Sequence, residues 1–249
     1  MTVTLTTQAL PYPGVHNIRC LGGYETDQGG TTRADAIWRG CALTGIAPDD
    51  HEDLLARGLS TIIDLRRGDE IAHAPNPLAD DPRVLYVNIP LFDGLDPIDR
   101  MAEETGGQFD FGVRYRLALD TCQENMAAVL RTIAQAAPGG VYFHCTAGKD
   151  RTGLIAMLLL ANAGVHRDVI AAEYGLTARL GASLMDQLRA IIIDRGQTPE
   201  RTAQILASEP RTMLGVLDDL DATYGGPIAY LDQIGIDAAL RAQLVARLV

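Results

Sequence analysis

The amino-acid sequence predicts an α/β protein, with a central sheet of about four to five strands flanked by helices and a helical C-terminal extension. Of its 249 residues, 47% are hydrophobic and 21% are charged, as is typical of a folded globular protein. Short apolar runs alternate with helical patterns between residues 17 and 165, and the pattern from 166 to 249 is helical throughout. We therefore expect one domain over residues 1–249, in which 1–16 form an extended arm, 17–165 the core and 166–249 the extension.

The first half of the core predicts three strands and one helix. Residues 37–39 (IWR) are expected to form a short strand, and residues 59–65 (LSTIIDL), rich in β-branched side chains, a buried one. Between them, residues 48–56 begin with proline and several acidic residues and end before Gly58, a pattern typical of a helix. Residues 83–91 (RVLYVNIPL) predict the next strand, which a loop with turn-forming aspartates follows.

The second half of the core predicts a strand between two helices. Residues 110–137 place apolar side chains at spacings of three and four, which indicates one long amphipathic helix. Residues 140–144 (GVYFH) predict a short buried strand. Residues 154–163 are almost wholly apolar and end before Gly164, which predicts a buried helix. The polar loop 144–153 therefore lies between a central strand and a central helix.

The charge and cysteine content exclude several classes of function. Acidic residues outnumber basic ones by 32 to 21, and the net charge of −11 argues against a nucleic-acid binder or a polybasic membrane-surface protein. The first residues carry no secretory signal, and the longest apolar run is too short to span a bilayer. The four cysteines are widely spaced and form no CxxC pair. We expect a cytoplasmic protein without membrane insertion, and signal-independent secretion stays open.

The loop 144–153, with the sequence HCTAGKDRTG, has the features of an anion-binding site. A tight loop between a strand and a helix turns successive backbone N–H groups inward, and the helix adds its unpaired N–H groups. Gly148 and Gly153 permit the turn and close packing, and the guanidinium of Arg151 can bind two oxygens of a phosphate. Lys149 is the only lysine in the chain, so we interpret it as a second cation for the phosphate.

Cys145, at the base of this loop, is the predicted nucleophile. The surrounding N–H groups and cations favour its thiolate form, which can attack a bound phosphate and form a cysteinyl-phosphate that water then hydrolyses. Thr152 can donate its hydroxyl to the sulfur, and His144 is expected to orient the loop rather than act as a base. No metal-ligand spacing is present among the histidines, and no metal or organic cofactor is expected.

The sequence leaves the general acid open. Asp150 lies inside the loop, whereas Asp93 and Asp96 follow a neighbouring strand and should reach the same edge of the sheet. Two further residues, Asp64 and Arg66, are expected to shape the floor of the pocket. The predicted substrate-binding residues are His144, Thr146, Ala147, Gly148, Lys149, Thr152, Gly153, Asp64 and Arg66.

The loop resembles the HC-x5-R-[ST]-G signature of the cysteine-dependent phosphatases, and the fuller HCTAGKDRTG is similar to atypical bacterial tyrosine phosphatases of the PtpB type. Residues 17–19, 38–40 and 64–66 also resemble N-terminal motifs of that family, and residues 224–231 match its style. The resemblance implies the cysteine-dependent phosphatase fold, Cys145 as nucleophile, Arg151 as phosphate ligand and Asp150 as the leading acid. It also implies a helical lid, for which residues 175–209 are the candidate.

The function expected from the residues is hydrolysis of phosphotyrosine, with phosphoserine and phosphothreonine as further substrates. The substrate would be a phosphoprotein or a phosphorylated small molecule, and the sequence does not determine the oligomeric state. The first alternative is a phosphoinositide or inositol-phosphate phosphatase, because Lys149 adds charge for a polyanionic substrate. A rhodanese-like sulfurtransferase and a non-catalytic phosphate-binding module are further alternatives. The spacing of Cys145 and Arg151 favours phosphate chemistry over both.

Overall fold

A five-stranded mixed sheet forms the centre of the protein in a computed structural model that describes residues 9–10, 12–93 and 111–249. The strands lie in the order β1-β2-β5-β3-β4; β1 is antiparallel to β2, and the other neighbours are parallel. The prediction of an α/β fold with four to five strands is confirmed. Strand β4 is shorter than the predicted 83–91, and β1 was not predicted. The strands are β1 Arg19–Cys20, β2 Ile37–Gly40, β3 Leu59–Asp64, β4 Leu85–Asn88 and β5 Gly140–His144.

Strand β5 lies at the centre of the sheet, between β2 and β3. Its last residue, His144, is in register with Gly40 of β2 and Asp64 of β3, and all five residues of β5 are buried. In parallel sheets, ligands bind outside the carboxyl ends of the strands. The loop after His144 therefore leaves the sheet at the edge where ligands are expected.

One helix prediction is wrong in its continuity. The segment predicted as a single helix over 110–137 forms two helices that break at Cys122, whose φ of −108° and ψ of 26° are not helical. At the break, the carbonyl of Leu119 accepts a hydrogen bond from the buried phenol of Tyr230. The apolar face is nevertheless buried as predicted. The helices of this half are α1 Pro48–Ala56, α2 Gly68–His73, α3 Phe111–Thr121, α4 Gln123–Gln135 and α5 Asp150–Asn162.

The C-terminal extension is helical, as predicted. Leu217, Leu220 and Tyr230 from this extension are buried in the same apolar cluster as Phe143 and Leu158. Among the described residues, no helix is long and apolar enough to span a bilayer. The helices are α6 Arg167–Gly175, α7 Thr177–Leu180, α8 Ala182–Asp194, α9 Pro199–Leu206, α10 Pro210–Tyr224, α11 Pro227–Gln233 and α12 Ala238–Leu248.

Candidate active site

The loop 144–153 joins the carboxyl end of β5 to the first turn of α5. Helix α5 begins at Asp150, four residues before the predicted start at 154, so Asp150, Arg151 and Thr152 lie in its first turn. The first N–H groups of a helix have no partner within the helix and carry its positive end. The helix therefore directs these donors toward the loop that precedes it.

Two side chains from outside the loop bind its carbonyl oxygens. The amide nitrogen of Asn17 donates to the carbonyls of Ala147 and Gly148, both at 3.0 Å, and Arg39 Nη2 donates to the carbonyl of Gly148 at 2.7 Å. Because N–H and C=O point in opposite directions across a trans peptide, holding these carbonyls outward turns the N–H groups of the same peptides inward. The result is the inward array of donors that an anion requires.

A buried carboxylate supports this arrangement from below. Glu173 on α6 accepts from Arg19 Nε and from Arg39 Nη1, each at 2.7 Å, and all three side chains are buried. Arg19 also donates to Asn17 Oδ1 at 2.5 Å. Burial lowers the pKa of Arg39 to about 10, although Glu173 opposes that shift. Because the two buried cations need Glu173 as counter-charge, loss of this carboxylate would leave them uncompensated.

Both loop glycines lie against neighbouring atoms: a larger residue is excluded at Gly148, and at Gly153 it would require the ring of Tyr174 to shift. Gly148 has a φ of +66°, and a Cβ there would lie 2.3 Å from the carbonyl atoms of Gly40. Gly153 packs against the ring of Tyr174, which a Cβ would approach to 3.1 Å. Gly148 therefore allows the turn and the close approach of β2, and Gly153 allows α5 to pack against α6.

Cys145 lies at the base of the loop and is 2% exposed. Thr152, in the first turn of α5, is fully buried, and within the described ranges its hydroxyl has no hydrogen-bond partner. A buried hydroxyl without a hydrogen-bond partner lowers the stability of the fold. The Thr152 hydroxyl can therefore donate to an acceptor that forms during a reaction. Its predicted donation to the sulfur of Cys145 stays a prediction.

Arg151 is held by a carboxylate that the sequence did not indicate. Its Nη1 and Nη2 donate to the two carboxylate oxygens of Glu70 at 2.6 and 2.8 Å, and the hydroxyl of Thr146 also donates to Glu70. Despite its burial, the hydrogen bonds and charge of Arg151 hold the pKa of Glu70 at about 2. Glu70 lies on the short helix α2, for which the sequence contains no clear signal, so its role was missed.

His144, the last residue of β5, is fully buried. Burial lowers its pKa to about 4, and its ring stacks on Tyr142. Asn76 Oδ1 accepts from the backbone of Leu78, which turns its Nδ2 as donor toward His144 Nε2 at 3.1 Å. The proton of the neutral ring then lies on Nδ1, 3.2 Å from the carbonyl of Cys145. This arrangement agrees with the orienting role predicted for His144.

Asp64 and Arg66 form a buried ion pair at the carboxyl end of β3. Arg66 binds both oxygens of Asp64, the closest contact being 2.6 Å, and Tyr86 donates to Asp64 Oδ2 at 2.8 Å. His144 Nε2 lies 3.6 Å from the same oxygen. These contacts place the pair beside His144, and the pocket role predicted for Asp64 and Arg66 stays a prediction.

The ammonium of Lys149 contacts the helical extension, and its predicted role as a second phosphate cation stays a prediction. Its buried ammonium donates to the carbonyls of Ile205 at 2.6 Å and Ala207 at 3.0 Å, and lies 3.4 Å from Asp150 Oδ1. The same nitrogen lies 3.9 Å from the ring centroid of Phe111. These contacts account for the three donors of an ammonium. In this arrangement Lys149 therefore connects the loop to the end of α9.

Asp150 and Arg151 line a cleft of about 440 Å³ at this edge of the sheet. Asp93 is exposed and does not line it, and Asp96 lies outside the described residues. A cavity of about 520 Å³ elsewhere on the surface contains none of the loop residues. The residues that line the cleft are Arg67, Asp69, Glu70, His73, Phe92, Arg114, Asp150, Arg151 and Arg195.

Asp150 contacts both Lys149 and Tyr115 through the same oxygen, Oδ1. Tyr115 donates to Asp150 Oδ1 at 2.6 Å, and the phenol oxygens of Tyr115 and Tyr174 lie 2.9 Å apart. Both phenols are buried, and burial raises the pKa of each above its usual range. Both therefore act as hydrogen-bond donors at any physiological pH. In residues 9–10, 12–93 and 111–249, no cluster of three or more His, Cys, Asp or Glu side chains could hold a metal ion.

The comparisons with known proteins agree with this geometry. The model of the tyrosine phosphatase family matches residues 10–249. A tyrosine-protein phosphatase of Nostoc commune is 36% identical over 220 residues, which cover 86% of this chain and 74% of that protein. The triple specificity protein phosphatase PtpB of Mycobacterium tuberculosis is 26% identical over 263 residues, which cover 91% of this chain and 94% of that protein.

Proposed function

The chain belongs to the tyrosine phosphatase family, and on that premise we propose that it hydrolyses phosphotyrosine in proteins through a cysteinyl-phosphate on Cys145. The observation that carries the proposal is the loop itself. Cys145 lies at the base of a turn whose carbonyls are held outward by Asn17 and Arg39, and Arg151 follows at the first turn of α5. This arrangement supplies a nucleophile, backbone donors and a guanidinium to one phosphate group.

In the first step, the Cys145 thiolate attacks phosphorus and forms a sulfur–phosphorus bond. The bond between phosphorus and the phenolic oxygen breaks, and its electron pair goes to that oxygen. Asp150, protonated, gives its proton to the leaving oxygen, so the product is the neutral phenol. The proposal favours Asp150 over Asp93 because Asp150 lines the cleft beside Arg151, whereas Asp93 does not.

In the second step, water attacks the phosphorus of the cysteinyl-phosphate. Asp150, now a carboxylate, takes a proton from that water, and the sulfur–phosphorus bond breaks to release inorganic phosphate. The hydroxyl of Thr152 stabilises the returning thiolate by donating to the sulfur. Arg151 and the inward N–H groups hold the phosphate oxygens through both steps, where negative charge develops.

We extend the proposal to phosphoserine and phosphothreonine, and to residues 175–209 as a lid. The first extension is supported by the similarity to a protein named a triple specificity phosphatase. The second is supported by Arg195, which lines the cleft, and by the carbonyls of Ile205 and Ala207, which bind Lys149. Each of these two observations would place residues 175–209 over the phosphate during the reaction.

The test is a kinetic panel of phosphotyrosine, phosphoserine and phosphothreonine peptides and soluble inositol phosphates, together with acid-quench trapping of a labelled phosphoenzyme. Wild type should release phosphate fastest from phosphotyrosine and yield a trapped adduct. Cys145→Ser should bind the peptide and release no phosphate, and Cys122→Ala, also a buried thiol, should retain activity. Faster turnover of an inositol phosphate than of every peptide would contradict the protein-substrate assignment, and turnover by Cys145→Ser would contradict the mechanism.

A further inference from the structure

The carboxyl group of Asp150 is held asymmetrically. The phenol of Tyr115 donates to Oδ1 at 2.6 Å, and the ammonium of Lys149 lies 3.4 Å from the same oxygen. The contacts described for this carboxyl therefore converge on Oδ1. An acid that must deliver a proton in one direction needs such a difference between its two oxygens, because the proton rests on the oxygen that receives fewer donors.

The direction of the hydrogen bonds follows from counting protons. Each phenol carries one proton, and Tyr115 gives its proton to Asp150, so the bond of 2.9 Å between the phenols must use the proton of Tyr174. The chain then runs from Tyr174 to Tyr115 to Asp150 Oδ1. Hydrogen bonds in such a chain polarise and strengthen one another in a buried setting. The rings of Tyr115 and Tyr174, both fully buried and edge to face, fix its geometry.

We propose that Tyr115, backed by Tyr174, is the positioning residue that keeps the acidic proton of Asp150 on Oδ2. A proton on Oδ1 would point at the proton of Tyr115, and the two would repel each other. Removing that repulsion would require both phenols to reverse their hydrogen bonds. On Oδ2 it meets no such conflict, and Oδ1 accepts from Tyr115 whether Asp150 is protonated or ionised. This proposal rests on the proposed function, since it assigns a positioning residue to the same general acid.

The experiment compares two substrates that differ in their need for a proton. Phenyl phosphate releases a strongly basic phenolate, whereas 4-nitrophenyl phosphate releases a weakly basic one that leaves without much assistance. Tyr115→Phe should lower kcat on phenyl phosphate about tenfold and on 4-nitrophenyl phosphate less than about twofold, with KM unchanged for both. Asp150→Asn should show the same selectivity with a larger loss, and Tyr115→Phe should add nothing further in that background.

Tyr230→Phe is the matched control. Tyr230 is fully buried, and its phenol donates to the carbonyl of Leu119 on α3, the helix that carries Tyr115. This variant removes a comparable buried hydrogen bond from the same helix without touching Asp150, so it should affect both substrates alike. Tyr174→Phe removes only the second bond of the chain. It should lower kcat on phenyl phosphate by about twofold to fivefold and affect 4-nitrophenyl phosphate less, as Tyr115→Phe does. If Tyr115→Phe does not fold, Tyr174→Phe provides the test.

The outcomes separate this inference from the proposed function. Equal losses on the two substrates in both phenylalanine variants would show a structural role only and overturn the positioning of Asp150. A selective loss in Asp150→Asn without one in Tyr115→Phe or Tyr174→Phe would overturn the inference and leave the proposed function standing. If wild type formed no phosphoenzyme and released no phosphate from either substrate, both proposals would fall.

Discussion

Glu70 and Arg151 form an ion pair through two parallel hydrogen bonds, with Nη1–Oε2 at 2.6 Å and Nη2–Oε1 at 2.8 Å. Glu70 is held in turn by the backbone N–H of Arg67 at 3.0 Å. A guanidinium has five N–H donors. Two bind Glu70, and Nη1 and Nη2 also make longer contacts with the Leu65 carbonyl at 3.3 Å and the Thr146 hydroxyl at 3.4 Å, so a phosphate would bind Nε–H or replace these longer contacts. The carboxylate therefore fixes the plane of the guanidinium before any substrate arrives, which reduces the cost of ordering it on binding.

We expect Glu70→Gln to lower kcat/KM by about tenfold, because the neutral amide cannot accept both hydrogen bonds from Arg151. Glu52→Gln is the matched control, because Glu52 binds Arg83 through both of its oxygens, as Glu70 binds Arg151, and does not line the cleft. Steady-state kinetics on a phosphotyrosine peptide check the result. If Glu70→Gln matched wild type, the proposed importance of the preformed pair would be wrong.

The same ion pair predicts a loss of stability in acid. The folded-state pKa of Glu70, about 2, lies below its ordinary value of 4.5, so the folded state holds this proton less readily than the unfolded state does. The resulting stabilisation is complete above about pH 4.5 and is lost as pH falls toward 2. Between about pH 5 and pH 3, urea unfolding should show a larger drop in the free energy of unfolding for wild type than for Glu70→Gln. Equal drops would refute the linkage.

His144 should stay neutral over the range in which the enzyme works. Burial lowers its pKa to about 4, and Asn76 and the Cys145 carbonyl fix the proton on Nδ1. We expect its ring nitrogen signals in long-range ¹H–¹⁵N spectra to show the Nδ1–H tautomer without titration between about pH 5.5 and pH 8. A titration step in that window, compared with free histidine in the same tube, would contradict the assignment.

Lys149→Met should act through residues 175–209, the proposed lid, rather than through phosphate binding. The variant leaves the carbonyls of Ile205 and Ala207 without their donor, so amide hydrogen exchange in α9 should become faster. Its kcat/KM should fall for both phenyl phosphate and a multiply charged inositol phosphate. The two losses should agree within about twofold, because no cation that binds substrate has been removed.

Arg195→Met is the contrast for that experiment, because Arg195 does line the cleft. This variant should weaken the multiply charged substrate more than phenyl phosphate, since it removes a cation that a second anionic group can reach. If instead Lys149→Met showed the charge-selective loss, the ammonium would bind substrate during turnover, as the sequence first suggested.

The sequence was sufficient for four of the five strands and for the position of the loop, because these follow from local patterns. The apolar run of β5, the glycines of the loop and the apolar face of α5 are local signals, and they placed Cys145 between a central strand and a central helix. The break at Cys122 could not be predicted in this way. It coincides with a hydrogen bond from Tyr230, more than a hundred residues away in the chain, and no periodicity records such a contact.

The supporting residues of the site were missed for the same reason. Glu173 lies in an ordinary helical pattern, and nothing in its neighbourhood shows that it binds Arg19 and Arg39. The contacts of Lys149 could not be predicted, because composition shows that a residue is unusual but not where its side chain points. Its ammonium is directed to carbonyls at the end of α9, which only the folding of the extension brings near.

The contact of Glu173 with Arg19 and Arg39 also sets an order of events during synthesis. The ribosome finishes the loop 144–153 before it adds Glu173, and the carbonyls that bind Lys149 come later still. Until Glu173 has emerged, the two arginines have no carboxylate with which to be buried, and the loop carbonyls are not held outward. We therefore expect a nascent chain that ends before Glu173 to carry Cys145 in a loop that is not yet assembled, and to hydrolyse no phosphate ester until α6 has emerged.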